Sequence, residues 1–143
     1  MAVSVLFVCT GNYYRSRFAE YFFMHEAQVQ GQDWQAFSRG FAPNAGNVGP
    51  ISPYARFALE KLEIKVDLSQ YPQALREEDL QRASHIIALK EAEHRPMVQL
   101  IFPKWEDKLQ FWHIDDLDVA PPEIALPQLI QNVKDLLRTL RQG

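Results

Sequence analysis

The first thirty residues constrain the fold of this chain more strongly than any other stretch. Val3 to Val8 (VSVLFV) is apolar and rich in β-branched residues, a composition typical of a buried strand. Arg17 to Gln30 carries apolar side chains at helical spacing and predicts a helix. Eight residues, Cys9 to Ser16 (CTGNYYRS), join the two. A cysteine and an arginine are therefore set around a short turn between a strand and a helix.

Further apolar runs recur along the chain, around Ala36–Ser38, at Ser84–Leu89 and at Lys108–His113. Helical patterns lie between them. Strands that alternate with helices favour a parallel sheet covered on both faces. We therefore predict an α/β fold in three layers, with a central four-stranded parallel sheet.

Three features predict how the remaining segments are arranged. Residues 40–53 are dense in Gly, Pro and Asn and are expected to form a loop, after which Ser52 and Pro53 read as the N-cap and first residue of a helix. Glu91 to about Phe102 predicts another helix. The last helix is marked by apolar residues at three- and four-residue spacing, namely Leu126, Leu129, Ile130, Val133, Leu137 and Leu140.

Composition limits the organisation of the chain and its partners. The 143 residues, 47% of them hydrophobic, suffice for one core, so we expect a single domain over residues 1–143. A net charge of −3 makes nucleic acid and anionic membranes poor partners, and no segment has the length of a signal or membrane span. The single cysteine excludes an internal disulfide and fits a cytoplasmic location. The four histidines show no ligand spacing, so neither a metal nor a cofactor is expected.

The turn between strand and helix has the chemistry of an oxyanion site. Backbone N–H groups of such a turn point into one concavity, and the positive end of the helix dipole faces it. Gly11 permits a close approach or a positive φ, while Arg15 offers a planar fork for two oxygens and favours the thiolate of Cys9. The predicted phosphate-binding loop after the first strand consists of Thr10, Gly11, Asn12, Tyr13, Tyr14 and Ser16. The plainer alternative is that Cys9 ends a buried strand and Arg15 is a solvated helix residue.

The sequence VLFVCTGNYYRSRFAE resembles the signature of the low-molecular-weight protein tyrosine phosphatases. Weaker matches follow in order: Ser38-Arg39-Gly40, Glu77-Glu78-Asp79 at the start of a short helix, and the aspartates at 115–118. The resemblance implies a cysteine-dependent phosphatase that hydrolyses phosphotyrosine or other aryl phosphate monoesters through a phosphocysteine intermediate. Its partners would be a phosphotyrosine protein or a small aryl phosphate, with a phosphate-like anion in the loop.

The resemblance also implies a general acid. Ligands of open parallel sheets bind outside the carboxyl ends of the strands, where Cys9 and the segment after His113 both lie. Alignment on family members, which carry Asp-Pro here, gives the role to Asp116, with Leu117 in place of proline. Asp115 and Asp118 remain alternatives.

Supporting residues follow from the same resemblance. Asn12, Ser16 and Ser38 match positions that hold the loop in shape. Tyr14 stands where relatives often have a second cysteine, so an oxidised Cys9 would lack an intramolecular disulfide partner. Tyr13 is the expected aromatic wall of the pocket; Phe41 is a weaker candidate for the wall, and we expect it in the core.

Two other functions remain open at this stage. An arsenate reductase would use the same oxyanion loop but, with no later cysteine, would need an external thiol. A non-catalytic phosphate- or phosphotyrosine-binding module is the third possibility. Glu91 and His94 lie three apart on a predicted helix and are read as helix surface; the three tryptophans are read as packing residues.

Overall fold

The computed structural model describes residues 2–44 and 46–143. Four strands alternate with five helices in this part of the chain. The strands are β1 (Ser4–Cys9), β2 (Gln35–Gly40), β3 (His85–Ala88) and β4 (Gln110–Phe111). The helices are α1 (Arg15–Val29), α2 (Pro53–Lys61), α3 (Glu77–Arg82), α4 (Glu91–Ile101) and α5 (Pro122–Gln142), and a 3₁₀ turn spans Pro103–Lys108.

The sheet is parallel throughout, in the order β2-β1-β3-β4. β1 lies in the interior and pairs along its whole length with β2 and from Val5 to Val8 with β3. Cys9 is its last residue and pairs with Gly40 at the end of β2. The predicted four-stranded parallel sheet is confirmed, and it places Cys9 at the carboxyl edge where such sheets bind ligands.

The alternation of side chains along β1 explains why the sheet is covered on both faces. Val5, Phe7 and Cys9 pack in one cluster with α1, α2 and α5. Leu6 and Val8 point to the other face, into a cluster with α3 and α4. The predicted three-layer architecture follows directly from this strand, which has no solvent-facing side.

Two predicted elements have different bounds in the structure. The strand predicted over Lys108–His113 is limited to β4, because Pro103 opens a 3₁₀ turn that continues through Lys108. α1 begins at Arg15, two residues before the predicted start. Arg15 is therefore the first helical residue, directly beside the Cys9 loop, defined as residues 10–14.

The helix ends and aromatic residues agree with the sequence pattern. Ser52 caps α2 by accepting a hydrogen bond from Tyr54 N at 3.2 Å, and Pro53 is the first helical residue. The three tryptophans pack against the two core clusters. No helix within the described ranges is both long and apolar enough to cross a membrane.

Candidate functional site

The backbone of the Cys9 loop is set by Asn12 and Gly11 together. Asn12 has a φ of +52°, in the left-handed region that asparagine tolerates better than most residues. Gly11 does not have a positive φ; a Cβ there would lie 3.3 Å from Asn47 Nδ2. Of the two reasons given for this glycine, the structure supports the close approach.

Asn12 also organises the residues beneath the loop. Its Nδ2 donates to Ser16 Oγ at 2.9 Å and to Ser38 Oγ at 3.0 Å, and its Oδ1 accepts from Gln73 N at 2.9 Å. Ser38 in turn donates to Glu20 at 2.5 Å. The structure thus joins Asn12, Ser16 and Ser38 in one buried network. Sequence reasoning missed Glu20, whose pKa is raised by burial although Ser38 donates to it.

The Cys9 thiol lies at the floor of this arrangement, only 2% exposed. It donates to Ser16 Oγ at 3.0 Å. Because Asn12 already donates to the same oxygen, the Ser16 hydroxyl proton is free to turn toward the sulfur when Cys9 is a thiolate. Ser16 is therefore placed to stabilise a negative sulfur.

Arg15 is almost fully buried and is held by a carboxylate that sequence reasoning missed. Its Nη1 and Nη2 donate to the two oxygens of Glu93 at 3.1 and 2.9 Å. Nη1 also donates to Ile114 O at 3.1 Å, and Nη2 lies 3.4 Å from Asp116 Oδ2. Burial opposes the charge, but the Glu93 hydrogen bonds, with Cys9 and Asp116, keep the pKa of Arg15 above its ordinary value. Nε donates to no residue in the described part of the chain.

The Glu93 carboxylate faces four hydrogen-bond donors, which come from α1, the Cys9 loop and α4. Besides the two nitrogens of Arg15, it accepts from the Thr10 hydroxyl and lies 3.2 Å from His94 Nε2. The hydrogen bond from His94 and those from Arg15 and Thr10 lower the pKa of Glu93 well below its usual range. This role could not be read from the sequence, because an acid in the first turn of a helix ordinarily complements the helix dipole.

The prediction that His94 lies on the helix surface is wrong. Its side chain is fully buried, with Nδ1 accepting from Lys90 N at 3.0 Å and the ring 5.3 Å from that of Phe41. An acceptor at Nδ1 leaves the proton of the neutral ring on Nε2, which faces Thr10 Oγ1 at 3.0 Å. Burial lowers the pKa of His94, so the ring stays neutral and links Thr10 to Glu93.

The acid loop, defined as residues 115–120, separates the three candidate aspartates. Asp116 approaches Arg15, whereas Asp115 is bound to Lys90 Nζ at 2.8 Å. The Lys90 hydrogen bond lowers the pKa of Asp115. Asp118 lines the same cavity as Asp116. In place of the proline expected at Leu117, a turn forms in which Leu117 N donates to Asp116 Oδ1 at 2.9 Å.

A cavity of about 380 Å³ opens above Cys9. Tyr13 forms one wall and is fixed there by its hydroxyl, which donates to Val48 O at 2.6 Å. The ring of Tyr14 is buried beside the cavity, and no described residue bonds to its hydroxyl. Burial, with the Asp116 charge, raises the pKa of Tyr14 to about 12. Phe41 lies in the core, as expected, and contributes no wall.

Comparison with known proteins decides the family. The family model for low molecular weight phosphotyrosine protein phosphatase matches residues 4–138. The chain belongs to this family. It is therefore a cysteine-dependent phosphatase, and its substrate is a phosphorylated compound. No curated protein sequence matches the chain.

Solved structures of several phosphatases resemble this low-molecular-weight phosphatase over nearly its whole length. A low molecular weight protein tyrosine phosphatase from T. tengcongensis has 28% identity and a TM-score of 0.78, with 99% of each chain covered. The Streptococcus pyogenes enzyme SP-PTP has 19% identity and a TM-score of 0.82, covering 96% of this chain and 93% of its own. A mutant of the arginine phosphatase YwlE that carries a phosphorylated active-site serine has 25% identity and a TM-score of 0.75, with 98% of this chain and 94% of its own covered.

Other cavities and cations of this phosphatase do not share the chemistry around Cys9. A larger cavity of about 640 Å³ lies between α1 and residues 63–65, and its lining includes neither Cys9 nor Arg15. Arg17 is buried and donates to Pro50 O at 2.5 Å, while Arg39 is paired with Asp79 at 3.2 Å. Arg15 lines the Cys9 cavity, whereas Arg17 and Arg39 do not.

Gly40 is expected to be intolerant of any side chain, since β2 ends against the Cys9 loop. A Cβ at Gly40 would lie 2.7 Å from Thr10 O and 3.0 Å from Asn12 N, both backbone atoms. Gly40→Ala should therefore lower the free energy of unfolding by about 1–3 kcal/mol through overpacking and weaken phosphate binding. Chemical denaturation and calorimetric titration with phosphate would measure both effects.

Gly46→Ala is the matched control for this substitution. Its Cβ would meet only the side chain of Asn44, at 3.2 Å, on an exposed loop. It should leave stability and phosphate binding nearly unchanged. Equal behaviour of the two variants would show that the contact of Gly40 with the loop is unimportant.

Proposed function

We propose that this phosphatase hydrolyses phosphotyrosine or other aryl phosphate monoesters through a phosphocysteine intermediate. One observation carries the proposal. A single cavity brings together Cys9 at its floor, Arg15 and Asp116 at one side and the Tyr13 ring at another. A phosphotyrosine protein or a small aryl phosphate is the proposed partner, and the lone cysteine supports action in the reducing cytoplasm.

The first step is attack of the Cys9 thiolate on phosphorus. A bond forms between sulfur and phosphorus as the bond from phosphorus to the aryl oxygen breaks. Backbone N–H groups of the Cys9 loop and the Arg15 guanidinium hold the nonbridging oxygens, because negative charge spreads over them in the transition state. Glu93 binds the outer face of the guanidinium, so Nε and one N–H of Nη2 are left for the phosphoryl group once Asp116 yields its 3.4 Å contact.

The second requirement is a proton for the departing phenolate. We assign it to Asp116, which approaches Arg15 over the cavity, whereas Asp115 is engaged by Lys90. Asp116 then removes a proton from the water that attacks the phosphocysteine. The sulfur–phosphorus bond breaks, phosphate forms and the thiolate is regenerated.

The same chemistry could act on two kinds of leaving group, an aryl oxygen or a guanidinium nitrogen. The Tyr13 ring, fixed to Val48 O, gives the cavity an aromatic wall that suits a phenyl ring. The similarity to the arginine phosphatase YwlE makes a phosphorylated guanidinium the second candidate. Steady-state hydrolysis of one peptide carrying either phosphotyrosine or phosphoarginine separates the two. A clear preference for phosphoarginine would reject the aryl proposal, and no turnover of either would reject both.

Asp116→Asn should reduce kcat/KM for a phenyl phosphate by about 10²–10³-fold, since an amide cannot supply the proton. The loss should be much smaller for nitrophenyl phosphate, whose leaving group needs less protonation. Asp118→Asn, at the rim of the same cavity, is the control and should have little effect. If Asp118→Asn caused the leaving-group-dependent loss instead, the general acid would be Asp118.

A further inference from the structure

We propose that the ion pair between Lys90 and Asp115 positions the general acid: it anchors the acid loop so that Asp116 faces the Cys9 loop. This inference rests on the proposed function, because it assumes that Asp116 protonates the leaving group. Lys90 Nζ lies 2.8 Å from Asp115 Oδ1, and the two side chains are only 16% and 24% exposed. Lys90 does not line the Cys9 cavity, so its proposed role is that of a positioning residue.

The anchor lies where the backbone support of the sheet ends. Trp112 O accepts from Glu91 N at 2.9 Å, and Ile114 N donates to Leu89 O at 2.8 Å. A β-bridge between Lys90 and His113 completes this contact between the end of β3 and the segment after β4. Past Ile114 the chain leaves the sheet. Asp115 is the first residue beyond it.

Among the described residues, two side-chain contacts join the acid loop to other elements of the fold. One joins Asp115 to Lys90, and the other joins Asp116 to Arg15. The remaining bonds are local, as where Val119 N and Ala120 N donate to Asp116 O at 3.0 Å. His113 Nε2, at 3.8 Å, is a more distant neighbour of Asp115 on the adjoining segment.

The two contacts have different fates during the reaction. When a phosphoryl group occupies Arg15, Asp116 must leave the guanidinium and turn to the leaving oxygen. The phosphoryl group does not compete for the Asp115–Lys90 pair, because neither of these two residues lines the Cys9 cavity. The Asp115–Lys90 pair therefore holds the acid loop in place while the Asp116 side chain moves. Lys90 also neutralises the charge of Asp115, which would otherwise repel the dianionic phosphoryl group.

The test is the dependence of kcat/KM on the acidity of the leaving phenol, measured for a series of aryl phosphates. Lys90→Met keeps the aliphatic stem and removes the charge, and Asp115→Asn removes the other partner. Each should lower kcat/KM by about 10–100-fold for the least acidic phenols and by little for nitrophenyl phosphate, because a misplaced acid matters only where protonation is needed. A general defect in folding or binding would lower all rates together.

Two further variants complete the design. Lys104→Met, which removes a lysine that is 85% exposed, should leave the whole series unchanged. The exchanged pair Lys90→Asp with Asp115→Lys should recover part of the loss for poor leaving groups. An unaltered leaving-group dependence in both Lys90→Met and Asp115→Asn would overturn the inference. Failure of the proposed function is a separate result, in which the unmodified protein hydrolyses no aryl phosphate.

Discussion

Cys9→Ser should abolish turnover while the loop continues to bind phosphate. The serine hydroxyl fits the space of the thiol beside Ser16 but is a far weaker nucleophile at neutral pH, because no described general base contacts this position. We expect kcat/KM for an aryl phosphate to fall by about 10⁴-fold or more. Rapid mixing of the unmodified protein should show a burst of phenolate from formation of the phosphocysteine, and the variant should show none.

Phosphate binding separates loss of the nucleophile from loss of the loop. In the proposed site the anion is held by backbone N–H groups and by Arg15, none of which the substitution removes. Calorimetric titration should therefore give a dissociation constant for phosphate within a few-fold of the unmodified value. Retention of even a tenth of the activity in Cys9→Ser would contradict the covalent mechanism.

Glu93→Gln is expected to cause the largest loss of stability of any single change discussed. Arg15 is 1% exposed, and Glu93 supplies its principal counter-charge. Removing one partner of a buried ion pair leaves the other charge uncompensated, at a cost of roughly 3–5 kcal/mol. Because Glu93 is 27% exposed and Asp116 remains nearby, we expect a value near the lower end of that range. Urea denaturation at neutral pH would measure it.

Glu91→Gln is the matched control for this prediction. Glu91 lies in the same first turn of α4, but its side chain is 56% exposed and its partner is the surface residue Arg95. Such a pair contributes about 0.2–1 kcal/mol, so the control should change stability little. If the two variants proved equally stable, Glu93 would have no special place in the fold.

The stabilisation by Glu93 should also depend on pH in one direction. Hydrogen bonds from His94, Arg15 and Thr10 hold its pKa in the folded state below the value in the unfolded chain. The contribution is therefore complete above the usual glutamate range and is lost as the pH falls through the lower, folded-state pKa. The stability difference between the unmodified protein and Glu93→Gln should shrink on acidification below about pH 4.

The parts of the site that could be predicted from sequence are those encoded locally. β1, the Cys9 loop and the start of α1 are continuous in the chain, so the strand pattern and the turn residues suffice to place Cys9 beside Arg15. The rule that ligands bind at the carboxyl ends of parallel strands predicts where the acid loop lies, and in the structure Asp116 lines the same cavity as Cys9.

What could not be predicted depends on contacts between distant segments. Glu93 is 78 residues from Arg15 in the chain, and its place in α4 looks like that of an ordinary surface acid. The burial of His94 could not be predicted either, because the three-residue spacing of Glu91 and His94 gives no sign of which helix face is buried. β4 is short because the 3₁₀ turn that begins at Pro103 continues through Lys108. Strand propensity alone does not predict this competition.

The position of β1 inside the sheet predicts which parts of the molecule unfold locally most easily. Cys9 ends a strand that is paired on both sides, whereas the acid loop follows β4, an edge strand paired only through Gln110 and Phe111. A strand that is hydrogen-bonded on both sides resists local unfolding more than an edge strand. Amide protons of β1 should therefore exchange with solvent far more slowly than those around β4. We therefore expect the segment that ends in Cys9, the proposed nucleophile, to be the more rigid one and the acid loop, which carries the proposed general acid, to be the more mobile one.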